Sequence, residues 1–128
     1  MLKILPFLSC TLLLFSCNRE TGQPKISFDN TVENFRLKRG MSKRVVFTFK
    51  NTGSDSLVLT GVNADCGCTE VVYNKHKIAP NNSDSISVTY NNASDGNNLG
   101  EVKRFILVKS NTNPILHTLE VSAFVEAD

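Results

Sequence analysis

The chain has 128 residues and carries 14 Lys and Arg against 12 Asp and Glu, a formal charge of +2. That balance offers no strong field to draw in nucleic acid, and 41% hydrophobic residues suffices for one domain with its own core. Tryptophan is absent while serine, threonine and asparagine are abundant, which suits strands with polar outer faces.

The opening stretch, MLKILPFLSCTLLLFSCN, addresses the chain. Lys3 supplies a positive start, and Ile4 to Phe15 form an apolar run broken only by Pro6, Ser9, Cys10 and Thr11. A stable membrane-crossing helix needs about 20 apolar residues. This run has the length of a secretory signal core instead. It closes on Leu14-Phe15-Ser16-Cys17, which resembles a bacterial lipobox: apolar, small, then cysteine. In lipoproteins that cysteine receives a diacylglycerol thioether, the signal is cut before it, and its new amino group is acylated, commonly with palmitate. Phe7-Leu8-Ser9-Cys10 copies the pattern with too few apolar residues ahead of it, so Cys10 belongs to the discarded signal. The expected organisation is a signal peptide over 1–16, a polar lipid tether over 17–23 with lipidation on Cys17, and one domain over 24–128. Several acyl chains, at about 0.8 kcal/mol per buried methylene, anchor stably. The tether has Asn18 rather than aspartate after the lipid cysteine, and it lacks an acidic run. The expected location is therefore the outer membrane, lipid-anchored and facing the periplasm, with the cell surface as the alternative. Nothing after residue 16 is apolar enough to cross a membrane.

Beyond the tether, alternation replaces helical periodicity. Short strands are expected at Lys25–Phe28 and Val32–Leu37. Val45–Phe49 turns Val45, Phe47 and Phe49 inward. Leu57, Leu59 and Gly61 line one side of the next segment, and Thr69–Tyr73 forms another strand. Ser85–Tyr90 sets Ile86, Val88 and Tyr90 against a row of hydroxyls. Asn91 to Asn98 reads as a long exposed loop. In Arg104–Lys109, Phe105 and Leu107 are expected inward, with Ile106 and Val108 suggesting cover on both faces. The last strand, Leu116–Val125, buries Leu119, Val121, Ala123 and Val125 and places His117 at the rim of the core. Turn chemistry at Asn51–Ser54, Pro80–Ser83 and Ser110–Pro114 separates these runs. About seven to eight strands so spaced specify an all-β chain folded as a single immunoglobulin-like β-sandwich. No Cys–Trp–Cys core is present, so a disulfide pinning the two sheets is not expected.

The ordered series Phe47-x-Phe49-x-Asn51-x-Gly53, Leu57, Asp65-Cys66-Gly67-Cys68-Thr69, Ile78-Ala79-Pro80, Val88-x-Tyr90 and Ser110-Asn111 resembles the domain of unknown function 1573. The resemblance covers nearly all of residues 26 to 125. It implies a PapD-like or immunoglobulin-like sandwich in a bacterial envelope protein, frequently a lipoprotein, and it brings no established activity. The family usually has glycine after the proline, where this chain has Asn81. It often has glycine where this chain has Arg36.

Cys66 and Cys68 are the nearest approach to chemistry. In an oxidising compartment two nearby thiols tend to pair. On an extended strand residues i and i+2 lie roughly 6.5 Å apart, near the limit for a disulfide, and Gly67 could relieve this by a bend closed to other residues. Three roles stand open: a structural disulfide or packing pair, thiol redox exchange, and metal binding. For the last, Cys66, Cys68 and His76 offer ligands suited to Cu(I) more than Zn(II). No thioredoxin-type site surrounds the pair.

Arg36, Lys38, Arg39, Lys43 and Arg44 crowd one loop and its flanks, a pattern usual for a solvated face, with lipid phosphates or an acidic partner as the alternative. For His76 and His117 the sequence places no serine or acid partner for a triad. Asp55-Ser56-Leu57 and Asp84-Ser85-Ile86 resemble an O-glycosylation sequon, which would place glycans on Ser56 and Ser85; Asp-Ser opening a strand after a turn reads equally well. The resulting expectation is a non-enzymatic binding or accessory module without a cofactor. Its partners are the membrane, through the anchor, and an envelope protein; nucleic acid is not among them. Copper binding or thiol redox handling through the cysteine pair is the alternative.

Overall fold

The structure, a computed structural model, describes residues 21–128. The signal, Cys10, Cys17 and the first tether residues lie outside the described residues. Eight strands follow in order: β1 (Ile26–Phe28), β2 (Val32–Lys38), β3 (Ser42–Asn51), β4 (Leu59–Ala64), β5 (Thr69–Tyr73), β6 (Ser83–Asn91), β7 (Gly100–Ser110) and β8 (Leu116–Glu126), with one 3₁₀ turn at Ala93–Asp95. They form two four-stranded sheets, β1-β3-β6-β5 and β2-β8-β7-β4. Only β2 and β8 pair in parallel; the other pairs are antiparallel. The all-β sandwich expected from alternation is the fold observed.

Period-2 patterning explains the core. In the first sheet Phe47 pairs with Ile86 and Val45 with Val88, and Phe47, Phe49, Ile86, Val88 and Tyr90 are buried. The second sheet presents Ile106, Val108, Leu119, Val121, Ala123 and Val125 to them. Each fully buried side chain of this kind contributes about 1.5–3 kcal/mol relative to an exposed one.

Three local expectations are corrected. Phe105 and Leu107 face solvent, while Val102, Ile106 and Val108 face in. Pairing with β8 sets this parity, with Ile106 opposite Leu119 and Val102 opposite Ala123. The inward row also contains Arg104, and a cation in a core-facing row argues for the opposite parity unless its counter-charge is known. In β4 the register shifts between Leu59 and Gly61, so the parity changes and Val62, not Gly61, joins the core. The Asn-rich segment is no exposed loop throughout, because Asn92 is fully buried in it.

The chain reads as two ends. Tether residues 21–25, the β3–β4 connection, residues 74–82 and the β7–β8 hairpin tip lie together at one end. The β2–β3 turn, the β4–β5 corner and residues 92–99 lie at the other. Asn51 organises the tether end: its amide donates to the carbonyls of Asp55 (2.8 Å) and Ile78 (2.9 Å), and its Oδ1 accepts from Gly53 N–H (3.0 Å). A Cβ on Gly53 would collide with the Gln23 carbonyl oxygen, so the Asn-x-Gly pair closes the tether onto the sandwich. Asn81, where the family usually has glycine, has φ of 67°. Asparagine tolerates this left-handed conformation better than other side chains.

Candidate functional site

Four residues, Asp65 to Cys68, carry the chain from β4 in one sheet to β5 in the other. The corner draws the Cα atoms of Cys66 and Cys68 to 5.1 Å, and their sulfurs are joined. Gly67 is not among the residues with positive φ. The approach therefore comes from the corner itself and not from a conformation reserved to glycine. Cys68 is buried and Cys66 half-buried. The Cys68 N–H donates to Cys66 Sγ (3.1 Å).

Beneath the pair lies a polar cluster that alternation did not reveal. Asn92 accepts from Gly40 N–H (2.7 Å) and donates to Asn98 O (3.0 Å) and the Tyr90 hydroxyl (3.3 Å), which fixes the 3₁₀ turn. The turn delivers Asp95, whose two oxygens accept from Arg104 Nη2 at 2.6 and 2.7 Å, while Oδ2 also accepts from Tyr90 O–H at 2.8 Å. The side chains are 9% (Asp95) and 26% (Arg104) exposed. Burial opposes the Asp95 charge, yet the bonds from Arg104 and Tyr90 outweigh it and hold the carboxyl below its usual range. Burial, with the neighbouring Asp95, pushes the Tyr90 hydroxyl up. The bond to Asp95 raises Arg104 further. Asp95 Oδ1 also lies 3.7 Å from Cys66 Sγ, a contact without a proton while the sulfurs are bonded. The signal for this cluster was Arg104, a cation sharing parity with Val102 and Ile106.

The expected metal set does not assemble. Cys66, Cys68 and Asp95 place ligand atoms within 4.8 Å of one another. His76 stands at the tether end instead, 3.3 Å from Asp84, with the length of β5 between it and the cysteines. His117 sits at the rim as expected, 3.0 Å from Thr112 Oγ1. Ser56 and Ser85 are half-buried, and each N–H donates to the preceding aspartate's Oδ1 at 2.7 Å. Of the basic residues at the β2–β3 turn, Arg36 pairs with Glu126 (2.6 Å) and covers the Phe124 ring, and Arg44 donates to Ser87. This group lies at the end remote from the tether.

The sheet edges differ in character. β1 has three residues, β2 carries the cations Arg36 and Lys38, and β4 is interrupted by its register shift. Each is a recognised way to blunt an edge. Among the described residues β5 pairs with β6 on one side and with no strand on the other. Its sequence, Thr-Glu-Val-Val-Tyr, has no proline, lysine or bulge, and Val72 is 61% exposed. The Cys66–Cys68 corner opens directly into this edge.

The family model described as "Protein of unknown function (DUF1573)" matches residues 26–125. Among solved structures, a protein of unknown function from Porphyromonas gingivalis W83 superposes with a TM-score of 0.66 at 17% identity, over 80% of this chain and 46% of the other. The chain thus spans less than half of that protein. A PapD-like domain of human CEP192 matches with TM-score 0.63 and 13% identity over 96% and 99% of the two chains. The periplasmic chaperone SfaE matches with TM-score 0.58 and 11% identity over 80% and 57%. At such identities the likeness establishes the PapD-like fold alone. No curated protein matches by sequence.

Proposed function

The chain belongs to the DUF1573 family of proteins of unknown function, and on that premise we propose a non-enzymatic, lipid-anchored envelope module that binds a partner protein by strand addition along β5. The β5 edge, free of proline, lysine and bulge with Glu70 its single charge, is the observation that carries this reading. An extended partner segment would satisfy the free backbone groups of β5, and side chains beside Val72 would supply selectivity. The disulfide corner and the Asp95–Arg104 cluster then act as the brace that fixes where β5 begins. Cys17 carries the lipid, and the module faces the periplasm from the outer membrane, with the cell surface as the alternative.

The rival, copper binding or thiol exchange at Cys66 and Cys68, draws on their closeness to Asp95. Against metal, the Asp95 oxygens are already engaged by Arg104 and Tyr90, and a cation there would sit beside a guanidinium.

Hydrogen exchange tests strand addition. The amides of residues 69–73 should exchange more slowly for the protein in isolated envelopes than for the same lipidated protein purified in detergent. The β1 and β2 edges should not change. Equal exchange of β5 in both settings defeats the proposal.

A further inference from the structure

We propose that the tether end of the sandwich is a membrane-docking face, seated on the headgroups of the leaflet that holds the anchor. The inference rests on the lipid at Cys17. Gln23 is already fixed to the domain, because its carbonyl accepts Ser54 N–H (2.9 Å) and its N–H donates to Ser54 Oγ (3.2 Å). Only Asn18 to Gly22 separate it from Cys17. Six steps of fully extended chain reach roughly 20 Å. The lipid therefore cannot leave this end of the molecule, and the end cannot drift far from the bilayer.

The surface held there suits an anionic interface. The β7–β8 hairpin tip, residues 111–115, borders the same small hollow as Gln23 and Pro24. It presents Ile115, 60% exposed, next to Leu116 at the start of β8, 50% exposed. These apolar side chains stand on a fixed frame: Thr112 Oγ1 donates to Pro114 O (2.7 Å), and Asn111 bonds Val58 N–H (2.9 Å) and Ser56 O (3.0 Å). Lys109 sits opposite Leu116, and Lys25, Lys50, Lys75 and Lys77 lie at the same end of the sandwich, all five exposed. Among the described residues none of the five pairs with a carboxylate. Of the acids at this end, Asp84 is taken by Asn74 and His76. Two apolar residues on a rigid tip amid unpaired lysines match the chemistry of an interfacial contact with anionic lipid. The Cys66–Cys68 corner then points away from the membrane.

The test uses the mature lipidated protein in vesicles containing phosphatidylglycerol and lipids brominated in the acyl chains. The chain has no tryptophan, so Ile115→Trp, or Leu116→Trp should the first misfold, introduces a single reporter. Met41→Trp, on the exposed β2–β3 turn at the other end, is the comparison. The expected result is blue-shifted emission quenched at least several-fold more for the hairpin-tip variant than for Met41→Trp. The difference should shrink when Lys109→Glu and Lys77→Glu are added or phosphatidylglycerol is omitted. Equal quenching at both sites, with the protein floating with the vesicles, overturns docking and leaves the anchor intact. Failure to float, with an unmodified Cys17 by mass, overturns the anchor and the docking with it.

Discussion

Replacing Asp95 with asparagine keeps the volume and one acceptor but removes the charge that meets Arg104. A charge-assisted bond contributes about 1.5–3 kcal/mol, and breaking a fully buried pair costs about 3–5 kcal/mol. Arg104 is a quarter exposed, so water recovers part of that loss. The asparagine amide would also point a donor at the guanidinium or at Tyr90 O–H. Asp95→Asn should therefore cost about 2–3 kcal/mol, close to a 10 °C fall in Tm for a domain of this size. Urea and thermal unfolding at neutral pH would measure it. The acid limb adds a second readout. The folded-state pKa of Asp95 is lowered, so the pair stabilises fully above the unfolded value near 3.9 and loses that contribution as pH falls through the lower folded value. The wild-type protein should lose stability more steeply below about pH 4 than Asp95→Asn. A loss under about 0.5 kcal/mol, or parallel acid slopes, would show that Arg104 needs no partner and that the explanation of β7 parity is wrong.

Further outcomes follow from the same geometry. Gly53→Ala should destabilise by more than about 2 kcal/mol through collision with the Gln23 carbonyl. Gly67→Ala, whose Cβ would meet nothing within 4 Å, should stay within about 0.5 kcal/mol; denaturant midpoints compare the two. Ile106→Ala should cost about 2–5 kcal/mol while Phe105→Ser changes little, because only Ile106 faces the core. Removing both thiols with Cys66→Ala and Cys68→Ala releases a very short loop, so the loss should stay at or below about 2 kcal/mol. Function in cells should survive that double variant apart from the lost stability, whereas a redox or metal role predicts that function is lost.

Legibility in the sequence followed the simplicity of each strand's surroundings. β6 alternates cleanly between apolar and polar, and β3 and β8 depart from it chiefly at Val46 and Phe124, so their inward rows were readable residue by residue. β7 was not, because Arg104 occupies its inward row and its counter-charge comes from Asp95, nine positions earlier in a segment that looks like solvent-exposed asparagine. β4 changed parity at a register shift marked only by Gly61, a glycine inside a strand pattern. The cysteine corner was visible as spacing, but its third neighbour was not. His76 is nearer in sequence than Asp95, yet β5 carries it to the opposite end while β6 and its 3₁₀ turn bring Asp95 back. Edge character was legible only once strand order was known, since Thr-Glu-Val-Val-Tyr reads the same in a central strand as at an edge.

A photoreactive residue placed at Val72 in cells making the lipidated protein tests strand addition most directly, with Val46, exposed near the middle of the same sheet, as the comparison. Strand addition predicts one discrete protein adduct from Val72, absent from Val46 and abolished by adding Glu70→Pro. No adduct from Val72, or equal adducts from both positions, would contradict it.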